Sequence, residues 1–132
     1  MSLARGLVVS APRSGSGKTV ITLGLLAAPQ FSGRAAGREA INLDPWAMPS
    51  DQLRALAGQQ ATGADLLLVE GAMGLFDAAA DGQGSTGDLA QTLQLPVILV
   101  VDADRHSQSV APLVAGFAQW RPGVTVAGVI LN

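Results

Sequence analysis

An open, mainly parallel α/β sheet with helices on both faces is the fold class this sequence predicts, and three observations carry the prediction. Short apolar runs at 7–9, 66–69, 97–101 and 124–131 suit strands buried on both faces. Segments of helical spacing stand between them, so strands and helices alternate. Between the first strand and the first helix lies Ala11-Pro12-Arg13-Ser14-Gly15-Ser16-Gly17-Lys18-Thr19. Strand, glycine-rich turn, Gly-Lys-Thr and helix is the order a phosphate-binding P-loop requires.

The elements follow in order. Leu7, Val8 and Val9 begin the sheet. Residues 20–28 form the first helix, with Leu23, Leu26 and Ala27 on its packing face, and Pro29 stops it. Residues 29–41 show neither strand alternation nor a clean helical stripe, although the chain should return here to the sheet. Either they are a loop, or the sequence joins two pieces across a segment omitted between 28 and 42. Asn42-Leu43-Asp44-Pro45-Trp46 is a turn, because Pro45 pushes Asp44 out of helical geometry. Ser50 reads as an N-cap, and residues 52–60 carry Leu53, Leu56 and Ala57 at helical spacing. Gly63 ends that unit, and the strand at 66–69 closes on Glu70-Gly71. Residues 72–87 read as a loop, long enough to be functional. A short helix at 88–93 leads past Pro96 into the strand at 97–101, which ends at Asp102. A helix at 110–120 turns Leu113, Val114 and Phe117 inward, and the last strand ends beside Asn132.

The chemistry concentrates where strands end. Gly15 and Gly17 let the backbone curl so that several N–H groups converge on one phosphate. The helix that follows adds the partial positive charge of its N-terminus. Arg13, Ser14, Gly15, Ser16, Gly17, Lys18 and Thr19 are therefore the expected ATP-binding residues. Lys18 reaches the β- and γ-phosphates, and the Thr19 hydroxyl ligates Mg²⁺. The strict pattern has glycine at position 12, where this chain has Pro12; a glycine-rich turn that only caps a helix is the plainer alternative. Glu70, at the tip of an apolar strand, is the candidate second metal ligand, or else a solvated strand end. Asp77 brings a second carboxylate near it. Gly74 brings backbone close to a ligand, while Met73, Leu75 and Phe76 read as core plugs. Asp44 is either a substrate contact or a capped turn. Asp102 with Gln108 and Ser109 either forms a loop over the substrate or is a solvated strand end and helix cap. Asn132 is placed to hydrogen-bond an adenine edge. His106, the single histidine, reads as a surface residue.

Composition bounds the rest. The chain has 132 residues, 48% of them hydrophobic, which predicts one domain with a real core. Net charge is −2 without a basic run, so nucleic acid is not the expected partner. With no cysteine there is no disulfide, thiol nucleophile or thiolate metal site in this chain. No apolar run approaches a membrane span and no signal sequence is evident, so a cytoplasmic location is expected.

Taken in order, several blocks resemble the N-terminal ATP-dependent domain of the cobyrinic acid a,c-diamide synthase family. They are 11–19, Asn-Leu-Asp-Pro-Trp (42–46), Val-Glu-Gly-Ala-Met-Gly-Leu-Phe-Asp (69–77), Gly-Ser-Thr (84–86), Val-Val-Asp-Ala (100–103) with Gln-Ser (108–109), and Gly-Val-Ile-Leu-Asn (128–132). The resemblance implies a ligase that amidates the a and c acetate side chains of a corrin ring in cobalamin biosynthesis. It uses ATP and Mg²⁺, and its ammonia derives from glutamine. It implies Lys18, Glu70 and Asp77 as catalytic residues, Thr19 and Glu70 as metal ligands, and Asp44, Gly74, Ser85, Gln108 and Ser109 as substrate contacts. A Lys-x-Gly-Pro-Asp-Tyr-x-Asp block that the family carries before Asn-Leu-Asp-Pro-Trp has no counterpart here. Nor is the family's C-terminal glutaminase domain present. The expectation is therefore an incomplete P-loop synthetase domain over 1–132, impaired as it stands.

Two other readings stay open. One is a related P-loop ligase of the cobyric acid synthase or dethiobiotin synthetase type. The other is a partitioning-type ATPase switch, in which Arg13 stands where relatives carry a lysine that reaches across a homodimer.

Overall fold

The computed structural model describes residues 5–27 and 39–132. Among them, four strands form one open sheet in which every pairing is parallel. The elements are β1 (Gly6–Ser10), α1 (Lys18–Ala27), α2 (Ser50–Ala61), β2 (Leu67–Glu70), α3 (Thr86–Leu93), β3 (Val97–Val101), α4 (Val110–Gln119) and β4 (Val126–Leu131). The strand order is β2-β1-β3-β4, so α3 carries the chain from β2 past β1 to β3. The expected α/β class stands, and the sheet is wholly rather than mainly parallel.

The β-branched and leucine-rich runs explain the layering. Val8, Val69, Val97, Leu99 and Val101 meet Leu53 and Ala57 of α2 and Leu89, Ala90 and Leu93 of α3 in one buried cluster. Leu113, Val114 and Phe117 of α4 pack against the same cluster. Val9 and Val100, one residue out of phase, are just as buried on the other face, where α1 packs on β1 and β2.

Several boundaries differ from the sequence expectation. Ser50 lies inside α2; the N-cap is Pro49, and no side chain caps that helix. The helix expected at 88–93 begins at Thr86, because Ser85 caps it two residues earlier. Leu23 is 61% exposed rather than packed, while Thr22 of the same helix is buried. Ala27 is exposed as well. The sheet-facing stripe of α1 is thus set one residue away from the one expected. Leu75 is the core plug it was expected to be, and Phe76 stacks on Phe117 with ring centroids 5.6 Å apart, whereas Met73 is 61% exposed. The expected stop at Pro29 and the ambiguous stretch up to residue 38 lie outside the described residues. None of the described helices is long and apolar enough to cross a membrane.

Candidate functional site

Because all strands run parallel, their carboxyl ends share one edge of the sheet, the edge where open α/β folds bind ligands. The turn after the central strand β1 occupies the middle of that edge. Gly15 (φ 78°) and Gly17 (φ 87°) adopt left-handed backbone, which a side chain would strain. At Gly17 space is also lacking: a Cβ there would sit 2.4 Å from the Asn132 amide nitrogen. That amide donates to the Ser16 carbonyl at 3.2 Å, and the Ser16 hydroxyl donates to the Arg13 carbonyl at 3.1 Å. The turn is thereby pinned from within and from the tip of β4.

Two side chains leave the start of α1 toward β2. Lys18, only 8% exposed, donates from Nζ to the Met73 carbonyl at 2.7 Å. Thr19 donates from Oγ1 to Glu70 Oε1 at 2.5 Å. The acceptor loop is itself held closely. Its residues Gly71 and Leu75 donate backbone N–H groups to Val9 and Ala11, at 2.9 and 2.7 Å. The Thr86 hydroxyl donates to the Ala72 carbonyl at 3.2 Å, and Asp77 Oδ2 accepts from Gly74 N at 2.8 Å. A Cβ on Gly74 would come within 2.5 Å of the Pro12 carbonyl, so this loop and the turn after β1 touch backbone to backbone. Met73 is held at φ 54°, an uncommon conformation for a residue with a side chain.

The other flank of the turn faces β3 and β4. Arg13 forms an ion pair with Asp102 at 3.0 Å, and Asp102 also accepts from Asp104 N. The two flanks differ in chemistry: Lys18, Thr19, Glu70 and Asp77 lie on the β2 side, and Arg13, Asp102 and Asn132 on the other.

An open cleft of about 780 Å³ lies beside β2, walled by α1, residues 40–45, β2 and the loop after it. Glu70, Asp77, Asn42, Gln60, Thr22 and Thr86 supply its polar side chains. Among the described residues the buried Thr22 hydroxyl on that wall has no hydrogen-bond partner.

The structure gathers Lys18, Thr19, Glu70, Gly74 and Asp77 beside the 12–17 turn. Asp44 caps its own turn, its Oδ1 accepting from the backbone N of Trp46 and Ala47 at 2.9 and 3.2 Å, while its neighbours Leu43 and Pro45 line the same cleft as Glu70 and Asp77. Ser85 is 2% exposed, and its hydroxyl takes part in a reciprocal cap with Asp88. Gln108 and Ser109 lie on the surface beyond β3; Gln108 accepts from Ser107, and Ser109 precedes α4 without a side-chain cap. His106 is exposed, as expected.

Sequence reasoning missed Arg121, which forms an ion pair with Asp88 and reaches the Ser85 hydroxyl at 3.4 Å. Burial disfavours the charged Asp88 carboxylate, but hydrogen bonds from Arg121 and Ser85 outweigh it and hold the carboxyl below its ordinary pKa. The Asp88 position three residues after Ser85, the capping-box spacing, was the available signal. The Lys18 contact with the Met73 carbonyl had none, since a backbone acceptor leaves no mark on residue type. Among the described residues no group of three or more His, Cys, Asp or Glu gathers as a metal site by itself.

No protein-family model matches the chain. Curated proteins do. It is 47% identical over 148 positions to a Brucella anthropi protein, 49% over 146 to one from Sinorhizobium sp, and 46% over 151 to one from Rhodobacter capsulatus. All three are named hydrogenobyrinate a,c-diamide synthase. The matches cover 96–97% of this chain, and the chain spans about a third of the relatives' length, 34% in each case. The alignments are longer than the 132-residue chain, so the relatives carry positions with no counterpart here.

Proposed function

We propose, taking as premise the homology of this chain to the hydrogenobyrinate a,c-diamide synthases, that it is the ATP-binding part of an amide-forming ligase of that kind. In cobalamin biosynthesis such an enzyme would convert the a and c acetate carboxylates of hydrogenobyrinate to amides. A carboxylate does not react with ammonia directly, because hydroxide is a poor leaving group. Transfer of the γ-phosphoryl group of ATP to the carboxylate oxygen gives an acyl phosphate and ADP. Ammonia then attacks the carbonyl carbon and phosphate departs. Glutamine would supply the ammonia through a glutaminase domain outside this chain, and a cytoplasmic location accords with that chemistry.

The observation that carries the reading is the convergence of Lys18 and Thr19 on Met73 and Glu70, which joins the turn after β1 to the acid at the tip of β2. In this reading residues 12–19 are a P-loop: Arg13 to Thr19 cradle the phosphates, and Lys18 exchanges the Met73 carbonyl for phosphate oxygens. Thr19 and Glu70 are neighbouring hard-oxygen donors, the ligand chemistry Mg²⁺ takes when substrate phosphates and water complete its shell. They would hold that ion, which supplies neutralisation of phosphate charge. Asp77 lines the cleft on the same side and would position the acceptor carboxylate, with Gly74 bringing backbone close to it. Asn132 would meet the adenine edge.

A partitioning-type dimer switch is less well supported. It needs the side chain at position 13 free to cross to a second copy, and Arg13 is instead paired with Asp102 of its own chain. The test is product formation by the protein that carries this chain, given hydrogenobyrinate, ATP, Mg²⁺ and glutamine. The diamide with ADP is the expected product; ATP-driven dimerisation without an amide product would overturn the reading.

A further inference from the structure

We infer that Trp46 is a stacking platform for the conjugated ring of the acceptor substrate, on the β2 side of the phosphate turn. The inference rests on the corrin reading above and adds a residue to it. Trp46 is 63% exposed, an unusual position for so large an apolar surface. Yet its place is fixed from three directions. Asp44 Oδ1 accepts from its backbone N at 2.9 Å. The indole Nε1 donates to Asp81 Oδ2 at 3.4 Å. Gly84, at φ +86°, lies so close that a Cβ there would fall 2.5 Å from the Trp46 Cβ. The first and third contacts fix the backbone and Cβ, the second orients the ring, and a platform held before its ligand arrives binds at lower ordering cost.

Its neighbours say which ligand. Pro45 and Gly84 line the cleft, together with Asp77. Trp46 follows Pro45 and packs against Gly84, so it stands next to that cleft, between the 42–48 turn and the far end of the loop after β2. Lys18 and Thr19 also point to that side, so the transferable phosphoryl group faces it and the acceptor must lie beyond. A flat conjugated ring is the chemistry that an indole face selects. Such a ring could belong to the corrin or to adenine. In the proposed reading the base lies on the Asn132 flank, so the corrin is the ring assigned to Trp46, and the nucleotide titration below separates the two.

The test titrates the chain with hydrogenobyrinate and, separately, with a non-hydrolysable ATP analogue. Wild type, Trp46→Ala and Trp46→Phe are compared after circular dichroism shows that each is folded. The expected result is about a tenfold weaker affinity for hydrogenobyrinate in Trp46→Ala, largely restored in Trp46→Phe, with nucleotide affinity unchanged. Equal hydrogenobyrinate affinity in wild type and Trp46→Ala overturns this inference alone. Loss of nucleotide affinity instead assigns the platform to adenine and also overturns it. A wild-type chain that binds the nucleotide analogue but not hydrogenobyrinate overturns the corrin reading and this inference together.

Discussion

Thr19 donates a 2.5 Å hydrogen bond to Glu70 and so joins the first turn of α1 to the tip of β2, 51 positions away in the chain. The pair unites two segments whose residue types, taken singly, admit plainer explanations. In the proposed reading this hydroxyl and carboxylate would be the protein ligands of a nucleotide-bound magnesium ion, hard-oxygen donors of the type that ion takes.

Glu70→Gln separates the roles of the two. It keeps the shape of the side chain and removes the charge. Wild type should bind ATP about tenfold more tightly with Mg²⁺ than with a chelator, about 1.4 kcal/mol. In Glu70→Gln that gain should vanish while affinity in the chelator stays unchanged. Calorimetric titration measures both, and an intact magnesium gain in the variant would remove Glu70 from the metal site.

Acid stability should depend on Asp88. Its carboxyl is held below the ordinary value, as described above. The folded state therefore binds this proton less readily than the unfolded chain, whose aspartate titrates near pH ~3.9. The stabilisation is fully present above that unfolded value and is lost as pH falls through the lower, folded one. Asp88→Asn should be less stable than wild type at neutral pH and should lose less on acidification. Urea denaturation at several pH values reads the difference, and parallel pH profiles would refute it. Ser85→Ala, which removes the cap oxygen, should cost about 1 kcal/mol.

Glycines divide into two sorts, with opposite predictions. Gly58 and Gly116 sit inside α2 and α4, and nothing lies within 4 Å of a Cβ added at either. Alanine at each should stabilise by about 0.5–1 kcal/mol. Gly74 differs, because a Cβ there meets the Pro12 carbonyl at 2.5 Å. Gly74→Ala should cost about 1–3 kcal/mol by forcing the loop after β2 away from the turn after β1. Chemical denaturation of the three variants checks the contrast; destabilisation by Gly58→Ala and Gly116→Ala would contradict it.

The sheet was legible because parallel strands buried on both faces write themselves as continuous apolar runs. Residues 97–101 matched β3 to the residue, and the run at 66–69 shifted by only one. Strand ends then located Glu70, Asp77 and the 12–19 turn. Caps were harder. Ser50 and Ser85 have the same residue type near a helix start, yet only Ser85 caps, because its partner Asp88 stands at the reciprocal position and Arg121 braces it. Helix facing was also misread. Leucine spacing in α1 favoured Leu23, but the structure buries Thr22 and leaves Leu23 exposed, so residue type alone did not set the inward stripe. The Met73 carbonyl and the bracing of Trp46 by Asp81 and Gly84 are tertiary, and neither periodicity nor composition encodes them.

The most direct measurement is ATP affinity of the chain with Mg²⁺, for wild type and Lys18→Ala. Lys18 is buried at the start of α1 and donates to the Met73 carbonyl, an acceptor that phosphate oxygens would replace with charge-assisted bonds in the proposed reading. The account predicts binding by wild type and at least about a tenfold loss in Lys18→Ala, on the order of 1.5–3 kcal/mol for hydrogen bonds to a charged group. Absence of ATP binding by the folded wild-type chain, or equal affinity in the variant, would contradict it.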